Sequence, residues 1–307
     1  MSLVNVDRRV LGAIRCVDAN TNLRIEGSFR IESAGLEIFR NRQGDFVLAR
    51  AHSNADLDAH TDQFQEVPSQ PALGSESFDI DIVALNENDR HESLLNAQIA
   101  PYLPRRISVD LPRDPDPANS GNDTSLFHPI VVRLLPSLSG PIPTGGNVVR
   151  AIVTSSTGDP IPGALIRVTR MTESGEELIA VGMTHWSGRA IGEAIVPITA
   201  IPLTTWDTSV LDDDASTGNS GGGNSGGGNA SGGNSPGGDD VDEPPVISTE
   251  VATTIHAIWD PNVDLAAGMI PDPEDLELRR NELSSTTLNV PMSFGQYVVA
   301  RLTISDP

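Results

Sequence analysis

The chain has 307 residues and a formal net charge of −22, from 42 acidic residues against 20 basic ones, every one of them Arg. An acidic surface repels phosphate backbones, so no nucleic-acid partner is expected, and the lack of Lys rules out the phosphate-cradling loops that depend on one. No apolar run approaches the ~20 residues that would span a bilayer, and 38% hydrophobic with 4% aromatic content suits small cores of Val, Ile and Leu.

In chain order, the N-terminus has no long apolar core before a small-residue cleavage site, so no secretory signal is expected. Arg9–Val17 reads as a strand carrying the lone Cys16, which cannot form an internal disulfide and is expected to be a small buried hydrophobe. Asp18–Asn22 is a turn, and short strands are expected at Leu23–Gly27 and from Phe29. Glu37–Ala49 alternates about Gly44 as a hairpin, and later strands are expected at Phe78–Val83, Arg106–Leu111 and Ile130–Leu135. This first module, residues 1–145, closes on the turn-rich Ser137–Gly146.

A second module occupies 146–307. Gly158–Val168, which reads Gly-Asp-Pro-Ile-Pro-Gly-Ala-Leu-Ile-Arg-Val, is a tight turn delivering Ala164 into an alternating strand. Thr184–Ala190 is a second turn around Gly188. An insertion at 212–245 follows, with four glycine-rich pentads ending at Gly223, Gly228, Gly233 and Gly238 between acidic flanks. Such a segment cannot bury apolar surface and is expected to be a flexible coil reaching about 25–30 Å. Beyond it lie strands at Val246–Trp259 and Gln296–Ile304 and a helical stretch at Pro273–Leu283. Two strands and a helix make a poor independent core. We therefore read the glycine stretch as an excursion between strands of one sandwich, tolerable because loop entropy grows slowly with length. Strand, turn, strand and Gly hairpin recur in both modules, so the expected architecture is all-β, two related sandwiches in tandem.

Catalytic and metal patterns are weak. His52, Asp56, Asp58, His60 and Asp62 could ligate Zn²⁺ or Ca²⁺, but their spacing fits neither the zinc-pair nor the calcium-loop pattern, so a solvated loop without metal is expected. Ser187 beside His185 lacks the Gly two residues earlier that a hydrolase elbow requires. Trp186, Trp206 and Trp259 are expected to pack in cores. No cofactor and no small-molecule substrate are expected.

Tyr102–Pro117 places proline on both sides of a short strand, which favours a sheet edge. Such an edge, with Tyr102, Arg105, Arg106 and Arg113, could take a partner by strand addition or could serve only as protection against aggregation.

Gly158–Val168, answered by Thr184–Ala190, resembles the carboxypeptidase-regulatory-like, transthyretin-like class of immunoglobulin-type sandwich, although Ala190 stands where that class usually has an aromatic. Ile14–Asp18, Arg40–Gly44, Tyr102–Arg105, Leu111–Asp114, Ser125–Phe127, Pro136–Ser137 and Gly163–Val168 together resemble accessory proteins of bacterial contractile injection systems, which are phage-tail-like particles assembled in the cytoplasm. The resemblance implies a non-catalytic structural or adaptor subunit, cytoplasmic, with other subunits of a large assembly as partners and no membrane insertion. A surface adhesin or carbohydrate-binding module is the alternative.

Overall fold

The structure is a computed structural model that describes residues 9–52, 54–60, 72–85, 100–142, 146–186, 192–199, 250–293 and 295–305. The chain divides into two compact units, Met1–Ile201 with Val251–Pro307, and Pro202–Glu250. The second holds the glycine pentads and, Glu250 apart, lies outside the described residues, as does the coil expected there.

The regular structure of the first unit is almost all strand. β1 (Val10–Asp18), β2 (Ser28–Glu32), β3 (Leu36–Arg40), β4 (Phe46–Ala51), β5 (Glu76–Leu85), β6 (Arg105–Leu111) and β7 (Ile130–Leu134) form two sheets, β3-β4-β1-β7 and β2-β5-β6. Their alternating apolar residues meet in one core, with Leu11, Ile14 and Leu48 from one sheet against Ile80, Ile82 and Leu111 from the other. Cys16 is buried in that core, and burial pushes its thiol up to about 12. β8 (Asn147–Ser155), β9 (Leu165–Thr172), β10 (Gly175–Met183), β11 (Glu193–Ile198), β12 (Val251–Trp259), β13 (Ser284–Met292) and β14 (Tyr297–Ile304) form β10-β9-β12-β13 and β11-β8-β14. Val149, Ala151 and Val153 of β8 face Ile166, Val168, Ile255 and Ala257 across the second core.

The two sandwiches share one strand order. In each, the first strand runs antiparallel to the fourth and parallel to the seventh, as β1 does with β4 and β7, and β8 with β11 and β14. In each, the fifth strand lies antiparallel between the second and sixth. Only the third strand differs: β3 pairs with β4, whereas β10 pairs with β9.

The turn before β9 and the segment after β10 are clasped together. Gly163 takes φ +72° and donates its N–H to the Thr184 carbonyl at 3.0 Å. The buried Thr184 hydroxyl accepts from the Ala164 N–H and donates to the Ile161 carbonyl, both at 2.8 Å. Ala164 is fully buried beside this clasp.

Several elements differ from expectation. Leu23–Gly27 makes only an isolated bridge between Arg24 and Val17, because the Asp18 carboxylate ties the Asn20 and Thr21 N–H groups into a turn that consumes the preceding residues. The loop expected around Asp56 contains a short helix, α1 (Ala55–His60), started by the Asn54 side chain accepting from the Asp56 N–H and anchored by buried Leu57. α2 (Pro273–Leu278) ends before Leu283, and β13 forms where no strand was expected. Among the described residues no helix is long and apolar enough to cross a membrane.

Candidate interaction surfaces

Leu103 and Leu135 extend the ends of β6 and β7, where the Leu103 N–H donates to the Leu135 carbonyl at 2.8 Å. Their side chains pack with Leu165, Met183, Trp186, Ile258 and Leu276 in a third apolar cluster that joins the two sandwiches. The Asn20 side chain accepts from the Val181 N–H across this seam at 2.7 Å. Arg105, only 5% exposed, donates to the Arg133 carbonyl at 2.9 Å and to Asp272 at 3.0 Å, and lies 3.1 Å from Glu274. Asp272 also starts α2 by accepting from the Glu274 N–H, so one carboxylate both orders the helix and holds the other sandwich.

Tyr102 and Arg105 are therefore committed within the chain. Tyr102 is buried, and its desolvation together with the Asp18 carboxylate it bonds raises its phenol well above the usual range. Arg106 points outward and pairs through Nε and Nη2 with Asp81 at 2.6 and 2.9 Å, a bidentate contact that raises its guanidinium. β6 is the edge of its sheet, and beside it a groove of about 420 Å³ is lined by Gly74, Ser108, Asp110, Pro112, Arg113 and Asp114. Half-buried Arg113 has its pKa lowered by desolvation, and its Nε has no hydrogen-bond partner among the described residues.

His52 and Asp56 are exposed, while the side chains of Asp58 and His60, and Asp62 altogether, lie outside the described residues. Among the described residues no three or more His, Cys, Asp or Glu gather as a metal site. Ser187 and Gly188 lie outside them too, and neighbouring His185 is buried, its backbone bonded to Gly192 and Glu193. Trp186 packs in the seam and Trp259 against the second core, while Trp206 is outside the described residues.

A polar network on the outer face of β10-β9-β12-β13 had no local sequence signal, because its members come from four separate elements. His256 Nε2 lies 2.9 Å from Glu176 Oε1 and 3.0 Å from the Thr169 hydroxyl, which itself donates to Glu176 at 2.9 Å. Arg167 forms an ion pair with Glu277 of α2 at 2.7 Å, without hydrogen-bond alignment at Nε. Burial holds His256 below its ordinary value against the opposing pull of Glu176, and the Thr169 bond lowers Glu176. Thr169 and Glu176 approach the same imidazole nitrogen, so the ring does not link a nucleophile to a carboxylate in series.

No protein-family model matches the chain, and a search of curated proteins returned no match. Among solved structures the chain is similar to the Bacillus anthracis TIE protein, with 9% identity and a TM-score of 0.22, over 100% of this chain and 42% of that one. The chain thus spans less than half the length of that neighbour, and so slight a likeness carries no functional argument.

Proposed function

We propose that the chain is a non-catalytic structural adaptor, a subunit of a large protein assembly of the contractile, phage-tail-like kind, docking on neighbouring subunits through sandwich edges. The observation that carries this reading is the seam: a shared apolar cluster and the buried Arg105, with its bonds to Asp272 and Glu274, tie two sandwiches into a single body. A body of that kind holds sheet faces and edges at a fixed spacing, which is what a subunit needs to set the distance between its neighbours. The strand order also supports the transthyretin-like reading, and three of the segments that resemble injection-system proteins lie at strand ends and turns: Ile14–Asp18 closes β1, Arg40–Gly44 joins β3 to β4, and Gly163–Val168 opens β9.

The test is fractionation of the native host. The protein is expected to sediment with large sheathed particles, and deletion of its gene to alter their morphology. Recovery solely as a free protein from cells that make such particles would overturn the reading.

A further inference from the structure

An edge strand presents a row of unpaired backbone groups, and proteins guard such rows with prolines, bulges, charges or short length. Most edges here are guarded. β13 carries Pro291 and β11 carries Pro197. β10 has a register shift and the charges of Glu176 and Glu177, and β3 has a register shift beside Glu37. β2 is short with Arg30 and Glu32, β6 bears Arg106 and Asp110, and β7 is short and tied at its end by Leu103. β14 differs: it is eight residues long, contains no proline, keeps one register along β8, and has Arg301 as its single charge.

The parallel ladder fixes which groups of β14 are free. The Val148 N–H donates to the Gln296 carbonyl, so Val298, Ala300 and Leu302 turn their backbone groups toward β8. Tyr297, Val299, Arg301 and Thr303 therefore turn theirs to the open side, and among the described residues nothing bonds them. Tyr297 and Val299 are also 54% and 50% exposed. The neighbouring Arg150 and Glu193 neutralise each other at 2.6 Å, which leaves Arg301 as the charge of the strip, on a chain whose net charge is −22.

We propose that β14 pairs antiparallel with β14 of a second copy across a two-fold axis, joining two β11-β8-β14 sheets into one. Backbone groups that recur at every second residue are self-complementary in this arrangement. With Val299 opposite its own counterpart, Tyr297 of each copy lies opposite Arg301 of the other. The guanidiniums are then kept apart and each can lie over an aromatic ring. A second copy fits better than an acidic or basic segment of another protein, because the strip is nearly neutral and matches itself. The pairing does not depend on the assembly reading, since it is a property of the purified chain.

Sedimentation velocity of the intact protein across micromolar concentrations tests it. The expected result is a species of twice the 32.5 kDa chain mass, whose population rises with added salt as repulsion between two acidic bodies is screened. Val299→Glu sets like charges opposite each other on a half-exposed site and is expected to return the monomer. Val299→Pro, which removes an outward N–H but no bond to β8, should do the same with an unchanged circular dichroism spectrum. Should Val299→Pro not fold, Val299→Glu decides alone. Leu178→Glu on β10 is expected to leave the dimer intact. A wild type that stays monomeric, or a dimer that survives Val299→Glu, overturns the proposal.

Discussion

The two sandwiches share a strand order and differ in where the third strand goes and in how the last one is left. In each sandwich the third strand pairs with the neighbour it reaches through a turn closed by side-chain hydrogen bonds. Between β3 and β4 the turn is closed by Asn41, whose backbone exchanges bonds with Gly44 and Asp45 while its side chain accepts from the Asp45 N–H, and Gly44 supplies φ +84°. In the second sandwich the tight turn precedes the third strand instead, with Gly175 at φ +116° and the Thr172 hydroxyl on the Gly175 carbonyl, so β10 stays with β9. The last strands diverge as well. β7 ends in the seam, held by Leu103, while β14 has no strand along its outer side among the described residues. A repeated core thus sets the common plan, and short polar turns decide the exceptions.

The largest effects should come from the two cores. Ile80→Ala and Ile255→Ala each delete a fully buried side chain, and each is expected to cost about 2–5 kcal/mol in denaturant unfolding. If the seam couples the sandwiches, both substitutions lower one common transition; a loss confined to one half of the molecule would break the comparison.

Next come two adjacent arginines. Arg105→Ala empties a buried position and frees the Arg133 carbonyl, at an expected cost of about 1–3 kcal/mol, less than for a fully buried pair because Asp272 and Glu274 remain solvated. Arg106→Ala removes a half-exposed partner of Asp81 and should cost about 0–1 kcal/mol. Chemical denaturation of both variants reads the difference, and equal costs would contradict the seam assignment.

The turn glycines sharpen the account of the third strand. Gly44→Ala forces a side chain into positive φ with its Cβ 3.2 Å from Arg24, whereas Gly175→Ala meets the same strain in open space. Losses of about 1–2 kcal/mol are expected, with Gly44 the larger. Thermal melts of the two variants, compared directly, test that order.

The smallest effect is on pH. His256 has its folded pKa below the ordinary 6.5, so its contribution to stability is present above about pH 6.5 and is lost as pH falls, when the unfolded chain binds a proton that the folded one resists. Glu176 is lowered too, so its contribution disappears in the same direction at lower pH. The melting temperature should fall on acidification, and His256→Gln should flatten the upper part of that fall.

Strands with clean apolar alternation, such as β1, β5, β9 and β14, were legible because one face of each enters a core. β13 was not: Ser284–Met292 is rich in Ser and Thr, includes Pro291, and lies at an edge where its outward residues stay exposed, so neither burial nor composition marks it. α1 was hidden in a polar run because a single buried side chain, Leu57, anchors it. Proline around β6 pointed to an edge, and β6 is one. Nothing local, however, told which side chains near it face outward. Tyr102 and Arg105 turn into the chain because their partners, Asp18, Asp272 and Glu274, lie far away in sequence. The His256 network and the free side of β14 were equally unreadable, since each follows from strand pairing between distant segments.

The central claim is that the seam makes one body of two sandwiches, and calorimetric unfolding of the intact chain tests it most directly. The account predicts a single cooperative transition in the wild type that separates into two when Trp186→Ala and Arg105→Ala together remove the apolar and ionic halves of the seam. Two independent transitions in the wild type, or one undivided transition in the double variant, would contradict it.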